Sequence, residues 1–295
     1  MTQKVNDILT AHGLDFTINK YPLGATSEKG DALLTPYYGL FNSKSGECIN
    51  TCKEGYTVSQ NAEVVKMVLK GMSKFGDALT VQKAGSIHGG RRVYMQMAIE
   101  GTSKVNDDII KRFVTVIDSN DGSTGLSVGI GDFTMSCENQ FFKFYKAGEA
   151  KFRHTATIAA KIQTIPLLIQ TALDKSLEQI KIYTKFASTS VSKELANEMV
   201  NSILGYDRLH IPEKGLSQRS EDMMNSLYNH ITKEMNQKGE NLWGLHSGVT
   251  SWTTHDKTGP KRVNGKEESM LLGTAYQKNQ ASLNFALNRA GLVLA

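Results

Sequence analysis

The 295-residue sequence predicts an α+β protein, with an antiparallel β-sheet half that contains one packed helix and a mostly helical C-terminal half. Two observations lead to this fold class. From about Leu33 to Cys137, short segments alternate apolar and polar residues around turn-forming residues, as antiparallel strands do. From His154 onward, apolar residues recur at helical spacing. Because strands and helices are segregated along the chain, alternating βαβ units are not expected.

The first elements are a short polar helix, a hairpin and an amphipathic helix. Residues 35–60 alternate around turn residues at Asn42–Gly46, which predicts a hairpin. Apolar residues at helical spacing then predict a helix over Asn61–Phe75, with Asn61 as its N-cap and Gly76 as its stop.

Further strands follow this helix. A final pair of strands is expected to be joined by a tight turn at Gly131–Asp132, because a Gly-Asp pair is common in hairpin turns. The predicted strands are Ala78–Ala84, Arg92–Glu100, Arg112–Asp118, Ser127–Ile130 and Phe133–Cys137.

The C-terminal half is predicted to consist of helices. Pro166 should kink or split the long pattern over His154–Phe186, because proline cannot continue a helical hydrogen-bond ladder. The other predicted helices are Ser192–Leu204, Ser217–Gln237 and Glu267–Leu292. We therefore divide the chain into a β-rich α+β core, residues 1–150, and a helical region, residues 151–295, packed on that core.

Composition is that of a soluble globular protein, with 40% hydrophobic and 21% charged residues. The net charge of +5 favours a polyanionic partner. The odd number of three cysteines gives no disulfide framework, which favours a reducing compartment. No signal-peptide-like segment is present, and no apolar stretch approaches the ~20 residues that span a bilayer. We expect a cytoplasmic protein without a membrane partner.

The segment over residues 139–161 interleaves aromatic and basic side chains. It contains five cations and one carboxylate, Glu149. Cations that follow a phosphate backbone, with rings on which bases stack, are what single-stranded nucleic acid requires. The alternative is an ordinary amphipathic segment whose rings enter the core while its lysines stay solvated.

Two other basic sites could contact phosphates. In the turn over Ser86–Arg92, two glycines precede Arg91 and Arg92, whose forked donors suit phosphate oxygens. An ordinary basic hairpin tip explains this turn equally well. A polar loop with Lys261 and Arg262 follows the segment that contains both tryptophans.

Candidate metal and catalytic motifs are weak. Asp118 and Asp121 flank a Ser-Asn turn and could bind a metal, but such residues are common in turns. Cys48 and Cys52 would share a face of one strand, yet no second Cys or His pair has zinc-site spacing. No phosphate-binding P-loop or nucleophile motif is present. We predict no cofactor, no metal site and no catalytic residue.

Several segments together resemble a phage- and plasmid-encoded family, catalogued as a phage/plasmid-like protein with a domain of unknown function. They are AHGLDFTINKYPL, KEGYTVSQNAE, AGSIHGGRRVYMQMAIEG, SNDGSTGLSVGIGDFTMSCEN, FRHT, LWGLHSGVTSWTTHD and LLGTAYQKNQASL, and they span almost the whole chain. This chain departs from the family at His246 and Ser247, where Asn and Ala are usual, and at Thr134–Ser136 before Cys137. The arrangement is more distantly similar to phage single-strand annealing proteins.

The resemblance and the basic segments suggest a non-enzymatic protein that binds single-stranded DNA, or RNA. As a homo-oligomer it would anneal complementary strands in phage or plasmid recombination and replication. Its cations would hold phosphates while rings such as Tyr145 stack on bases. The candidate nucleic-acid-binding residues are Arg91, Arg92, Lys143, Tyr145, Lys146, Lys151, Arg153, His154, Lys261 and Arg262.

Two other function classes remain open from the sequence. One is a metal-dependent enzyme acting on nucleic acid or nucleotides, with Asp118, Asp121 or His154 at its centre. The other is a structural or host-interaction protein whose basic loops contact another protein.

Overall fold

The computed structural model describes residues 2–135, 139–144, 154–206, 215–256 and 265–292, without the side chains of Asp77 and of residues 140–144. Its architecture is α+β, as the sequence predicts: antiparallel strands and one helix come first, and a mostly helical half follows. Among these residues, no helix is both long and apolar enough to cross a bilayer.

The first sheet has three antiparallel strands in the order β1-β2-β3. The predicted hairpin is confirmed by β2 and β3, which enclose a turn at residues 43–47. The preceding strand, β1, was not predicted, because the alternating pattern was taken to begin at Leu33. The strands are β1 Ile18–Thr26, β2 Ala32–Asn42 and β3 Cys48–Lys53.

The second sheet has the strand order β4-β5-β7-β8-β9, with β6 paired to β7. The pairs β4–β5, β5–β7 and β6–β7 are antiparallel. Its strands are β4 Leu79–Ile87, β5 Arg92–Ile99, β6 Ser103–Val105, β7 Asp108–Ser119, β8 Ser127–Thr134 and β9 Asn139–Phe144.

The prediction of a hairpin turn at Gly131–Asp132 is wrong, because both residues lie inside the single strand β8. A Gly-Asp turn requires residues with positive φ, and Gly131 is not among the glycines with positive φ. Asp132 is instead buried, and its Oδ2 accepts a hydrogen bond of 2.9 Å from the Tyr183 hydroxyl. A tertiary partner therefore makes a turn-forming residue acceptable in a strand interior.

The helices confirm most of the predicted pattern. Pro166 splits the long C-terminal pattern as expected: it is the second residue of α4, where its missing N–H leaves no bond unmade. The helix predicted over Glu267–Leu292 is broken at Leu272–Gly273. The helices are α1 Thr2–Ala11, α2 Asn61–Met72, α3 Ile158–Ile162, α4 Ile165–Ala187, α5 Lys193–Leu204, α6 Gln218–Lys238, α7 Leu242–His255, α8 Lys266–Leu271 and α9 Thr274–Arg289.

The start and stop predicted for α2 are each displaced. Gln60, not Asn61, is the N-cap residue, and its side chain exchanges two 3.0 Å hydrogen bonds with the backbone of Ile18. The Asn61 side chain instead donates to the carbonyl of Leu14 at 3.1 Å. The helix ends at Met72, before Gly76. Long-range hydrogen bonds thus occupy side chains that local sequence assigns to capping.

Contacts group the chain into two compact units with separate hydrophobic cores. The first comprises residues 1–100, 113–130 and 144–174, and the second comprises 101–112, 131–143 and 175–295. Each unit is assembled from separate stretches of the chain, and the predicted boundary at residue 150 stays a prediction.

In the second unit, α7 is buried from Leu242 to Thr254. Gly248 permits this burial, because a Cβ there would collide with the backbone of Ile231 in α6. The buried Asp108 anchors the same helices: its carboxylate accepts from Lys238 Nζ at 2.6 Å and from Trp243 Nε1 at 2.7 Å.

Candidate nucleic-acid interface

The turn between β4 and β5 holds Arg91 and Arg92 in fixed positions. The Arg91 N–H donates to the His88 carbonyl at 3.3 Å, and Asn42 Nδ2 donates to the Gly89 carbonyl at 2.9 Å. Gly90 has φ 98°, and a Cβ there would lie 2.6 Å from the Phe16 ring. Only glycine fits such a position, so this turn packs closely on Phe16, just before the first strand, and on Asn42 at the end of β2.

Arg91 and Arg92 have different surroundings. Arg91 is exposed and lines an open cavity of about 530 Å³ with Glu47, Cys48, Ile49 and His88. Arg92 is bound to a carboxylate: its Nε lies 2.9 Å from Asp121 Oδ2, and 17% of its side chain is exposed. Arg91 is therefore an exposed cation at the cavity, whereas Arg92 fixes the Asp121 loop.

The electrostatic state of Asp121 fits this pairing. Burial alone would raise the pKa of its carboxyl group, but hydrogen bonds from Ser123 and the Arg92 guanidinium outweigh burial and lower the pKa below its usual value. The carboxylate is thus ionised at neutral pH and is already occupied by protein donors.

His154 lies in the interior of the first unit, with 3% of its side chain exposed. Its Nε2 is 2.9 Å from Asp118 Oδ1, and its ring stacks on Tyr56 with centroids 5.1 Å apart. The other oxygen of Asp118 accepts from the Ser59 hydroxyl. This geometry joins the chain at His154 to the end of β7. A nucleic-acid contact by His154 stays a prediction.

Tyr56 completes this buried cluster. Its hydroxyl donates to Asn120 Oδ1 at 3.3 Å. Burial, assisted by the negative charge of Asp118, raises the pKa of the phenol well above its usual value, so the hydroxyl remains a neutral donor.

Of the three residues of the enzyme hypothesis, Asp118 and His154 contact each other directly. Asp118 is bonded to His154 and Ser59, whereas Asp121 is paired with Arg92. Across the described ranges, no group of three or more His, Cys, Asp or Glu residues has an arrangement that could hold a metal ion.

The two cysteines of β3 do not share a surface. A register shift between Leu40 and Phe41 places Cys48 opposite Phe41 and Cys52 opposite Tyr38. Because one residue of slip exchanges the faces of a strand, Cys48 is exposed and Cys52 is buried. The expectation of a common face is therefore wrong.

An aromatic surface that sequence reasoning missed covers one face of the first sheet. Its members lie at alternating positions and in register: Tyr21 is opposite Gly39, and Tyr37 is opposite Lys53. We call this the aromatic face, and it comprises Tyr21, Tyr37, Gly39, Phe41, Thr51 and Lys53. The other face contributes Leu40 and Ile49 to the core.

The rings of the aromatic face are accessible. Tyr21 is 53% exposed and Tyr37 is 47% exposed. The Phe41 ring lies over Gly39, since a Cβ on Gly39 would come within 2.5 Å of it, and its centroid is 5.9 Å from that of Tyr21. Lys53 and Thr51 are exposed beside these rings.

The aromatic face and the Arg91 cavity adjoin each other at Cys48. Cys48 pairs in register with Phe41 and also lines the cavity that Arg91 enters. A surface with rings and one lysine thus adjoins a cavity that is lined by Arg91 and Glu47, within a single compact unit. The sequence does contain a signal for this surface: Tyr37, Gly39 and Phe41 are each two residues apart, so in a strand they lie on the same face.

Most of the other predicted contacts lie outside the described residues. Lys143 is in β9, but its side chain is not described. The remaining candidates outside the described ranges are Tyr145, Lys146, Lys151, Arg153, Lys261 and Arg262. Their convergence with Arg91 stays a prediction.

Comparison with known proteins gives a family without an activity. The family model described as a domain of unknown function, DUF932, matches residues 49–290, a match that begins inside β3. No curated protein and no solved structure matches the chain. The expected resemblance is thereby confirmed for the domain of unknown function, while phage or plasmid origin and strand annealing stay predictions.

Proposed function

Because the chain belongs to the DUF932 family, whose domain has no assigned function, we propose a function from the site itself: binding of single-stranded DNA and annealing of complementary strands. The setting we propose is phage or plasmid recombination and replication in the bacterial cytoplasm. The aromatic face beside the Arg91 cavity is the observation on which this proposal rests.

Support for base contacts comes from Tyr21 and Tyr37. About half of each side chain is exposed, on a sheet whose opposite face is sealed by the core. An exposed ring on a rigid strand can stack on any of the four bases, which contributes about 1–3 kcal/mol per base without sequence preference. A surface of this kind binds single strands, because bases in a duplex are already stacked on each other.

Support for phosphate contacts comes from Arg91 and Lys53. Both are exposed, and they lie at the cavity and on the aromatic face, respectively. The predicted cations of residues 143–153 and 261–262 would extend this positive surface. Phosphates held at several cations leave the base edges available, so that a second strand can pair with a strand laid out along an oligomer.

The proposal is tested with fluorescently labelled poly-dT in an anisotropy titration at several salt concentrations. We expect binding at low salt, with a dissociation constant that rises steeply as salt increases, because neutralised phosphates release counterions. In a second assay, complementary labelled oligonucleotides should anneal faster with the protein than without it. If the protein leaves poly-dT free at low salt, the proposal is wrong.

Substitution of Tyr37 identifies the surface. We expect Tyr37→Ala to weaken poly-dT binding by about 5- to 150-fold, the equivalent of one stacked base. Tyr37→Phe is the matched control, because it keeps the ring and should keep the affinity. Equal poly-dT affinities for Tyr37→Ala and wild type would show that the binding site is not on the aromatic face.

A further inference from the structure

The hairpin of β1 and β2 extends beyond the third strand of its sheet. The residues of β2 that pair with β3 run from Tyr37 to Phe41. By contrast, β1 and β2 stay paired with each other as far as Thr26 and Ala32. We call residues 24–36 the arm. At about 3.3 Å per residue, the arm projects by roughly 15 Å past the end of β3.

The arm carries apolar side chains that the described residues leave uncovered. Leu34 is 99% exposed and Leu33 is 49% exposed. Adjacent residues of a strand point to opposite faces, so each face of the arm has a leucine with about half or more of its surface exposed. An aliphatic side chain held fully in water at a rigid position favours association with another apolar surface.

The arm is better suited to side-chain docking than to strand addition. Pro22 interrupts the edge of β1, and Pro36 lies in β2 where β3 no longer covers it. Proline supplies no N–H to a new ladder, so it discourages a further strand. The exposed Leu34 side chain is therefore the attachment point.

A pocket of matching size lies between α2 and α3. It has a volume of about 120 Å³ and is lined by Met67, Ala159 and Ile162, with Glu63, Lys66 and Gln163 as its polar members. This volume is about four times the ~30 Å³ that one water molecule occupies in the liquid. It has room for the four carbons of a leucine side chain.

The charges around the pocket complement those of the arm. Lys66 and Lys70 lie four residues apart on the exposed side of α2, Lys74 is exposed just after the helix ends, and Glu63 is the acid in the first turn of the helix. The arm tip exposes Glu28 and Asp31 around a single lysine, Lys29. A net negative tip would thus approach a net positive helix face.

We propose that Leu34 of one copy binds in the α2–α3 pocket of a second copy, with the acidic arm tip against the α2 lysines. This contact deepens the proposed function, on whose oligomer it rests, but it forms without DNA. The arm and the pocket are different surfaces, so the contact is heterologous. A dimer therefore keeps one free arm and one free pocket, and further copies can add to it until a ring closes or a filament forms.

Two single variants and their mixture test the contact by sedimentation velocity and light scattering without nucleic acid. Leu34→Arg removes the arm contact, and Ala159→Arg fills the mouth of the pocket at an exposed position. Wild type should associate with increasing concentration, and each variant alone should lose ~10- to 100-fold in association constant. An equal mixture should form a dimer and stop there, because only one arm and one pocket remain intact.

The exposed Leu177 provides the matched control, since Leu177→Arg removes a comparable apolar side chain from a different place and should associate like wild type. A monomeric wild type at every concentration overturns the proposal and assigns the arm to another protein. So does association of Ala159→Arg equal to wild type, which would indicate an arm-to-arm contact. Poly-dT binding by a protein that does not self-associate would overturn this contact alone and leave DNA binding standing.

Discussion

At the scale of single residues, neighbours in the chain can have unrelated roles. Arg91 and Arg92 are adjacent arginines with the same intrinsic chemistry. Arg91 lines an open cavity, whereas the Arg92 Nε donates a hydrogen bond of 2.9 Å to Asp121 Oδ2. The difference depends on which residues the fold brings near each guanidinium, and the dipeptide itself carries no sign of it.

His154 is the residue at which burial changes the interpretation most. We expect His154→Ala to lower the free energy of unfolding by about 3 kcal/mol. This value is at the low end for the loss of one partner of a buried pair, because the Ser59 hydroxyl and the Ser119 N–H still donate to Asp118. Urea denaturation monitored by fluorescence measures this loss. His12→Ala, a partly exposed histidine after α1, is the control and should leave the midpoint unchanged.

The same variant also separates structure from DNA contact. Since the His154 ring is buried against Tyr56, the folded fraction of His154→Ala should bind poly-dT with wild-type affinity. An unaltered urea midpoint together with weakened poly-dT binding would contradict the structural role and support the predicted contact.

At the scale of elements, the β4–β5 turn depends on Gly90. Both Gly90 and Gly101 have positive φ, at 98° and 80°, but only a Cβ at Gly90 meets a neighbour, the Phe16 ring. Gly101→Ala should therefore cost about 1 kcal/mol from backbone strain, and Gly90→Ala should cost about 1–3 kcal/mol more from overpacking. Equal losses in urea denaturation would show that the turn does not pack on Phe16.

Local signals were reliable for elements whose ends are set by local chemistry. Ser192 caps α5 by accepting from the Leu195 N–H at 3.3 Å, and Gly205 ends that helix at φ 81°, which confirms the predicted range Ser192–Leu204. Gly131–Asp132 and Asn61 were misassigned for the opposite reason. Tyr183 and the backbone of Leu14, both distant in sequence, satisfy these residues.

At the scale of the whole molecule, His246 couples stability to pH. Burial lowers its pKa from 6.5 to about 3. Between these values the unfolded chain binds a proton that the folded chain does not, so stability falls as pH falls through this window. We expect His246 alone to cost about 2 kcal/mol of unfolding free energy between pH 7 and pH 5.

His246→Asn removes this titrating group. Asparagine keeps a polar side chain at this position and cannot be protonated in this range. Urea denaturation at pH 7 and pH 5 should show a smaller loss in the variant than in wild type. Parallel pH dependences for the two proteins would contradict a neutral buried imidazole.

The fold class, the hairpin, the split at Pro166 and most helix positions could be predicted from the sequence. These follow from side-chain periodicity, caps and proline, which act within a few residues of the chain. The sequence also pointed to Arg91 and Arg92 as neighbouring cations.

Which side chains face solvent together could be seen only in the folded chain. The aromatic face needs the register of three strands, because a slip of one residue would bury Tyr37 and expose Leu40. The burial of His154 needs Asp118 from β7 and Tyr56 from the segment after β3. Exposure and pairing depend on contacts between distant segments, and local patterns do not encode them.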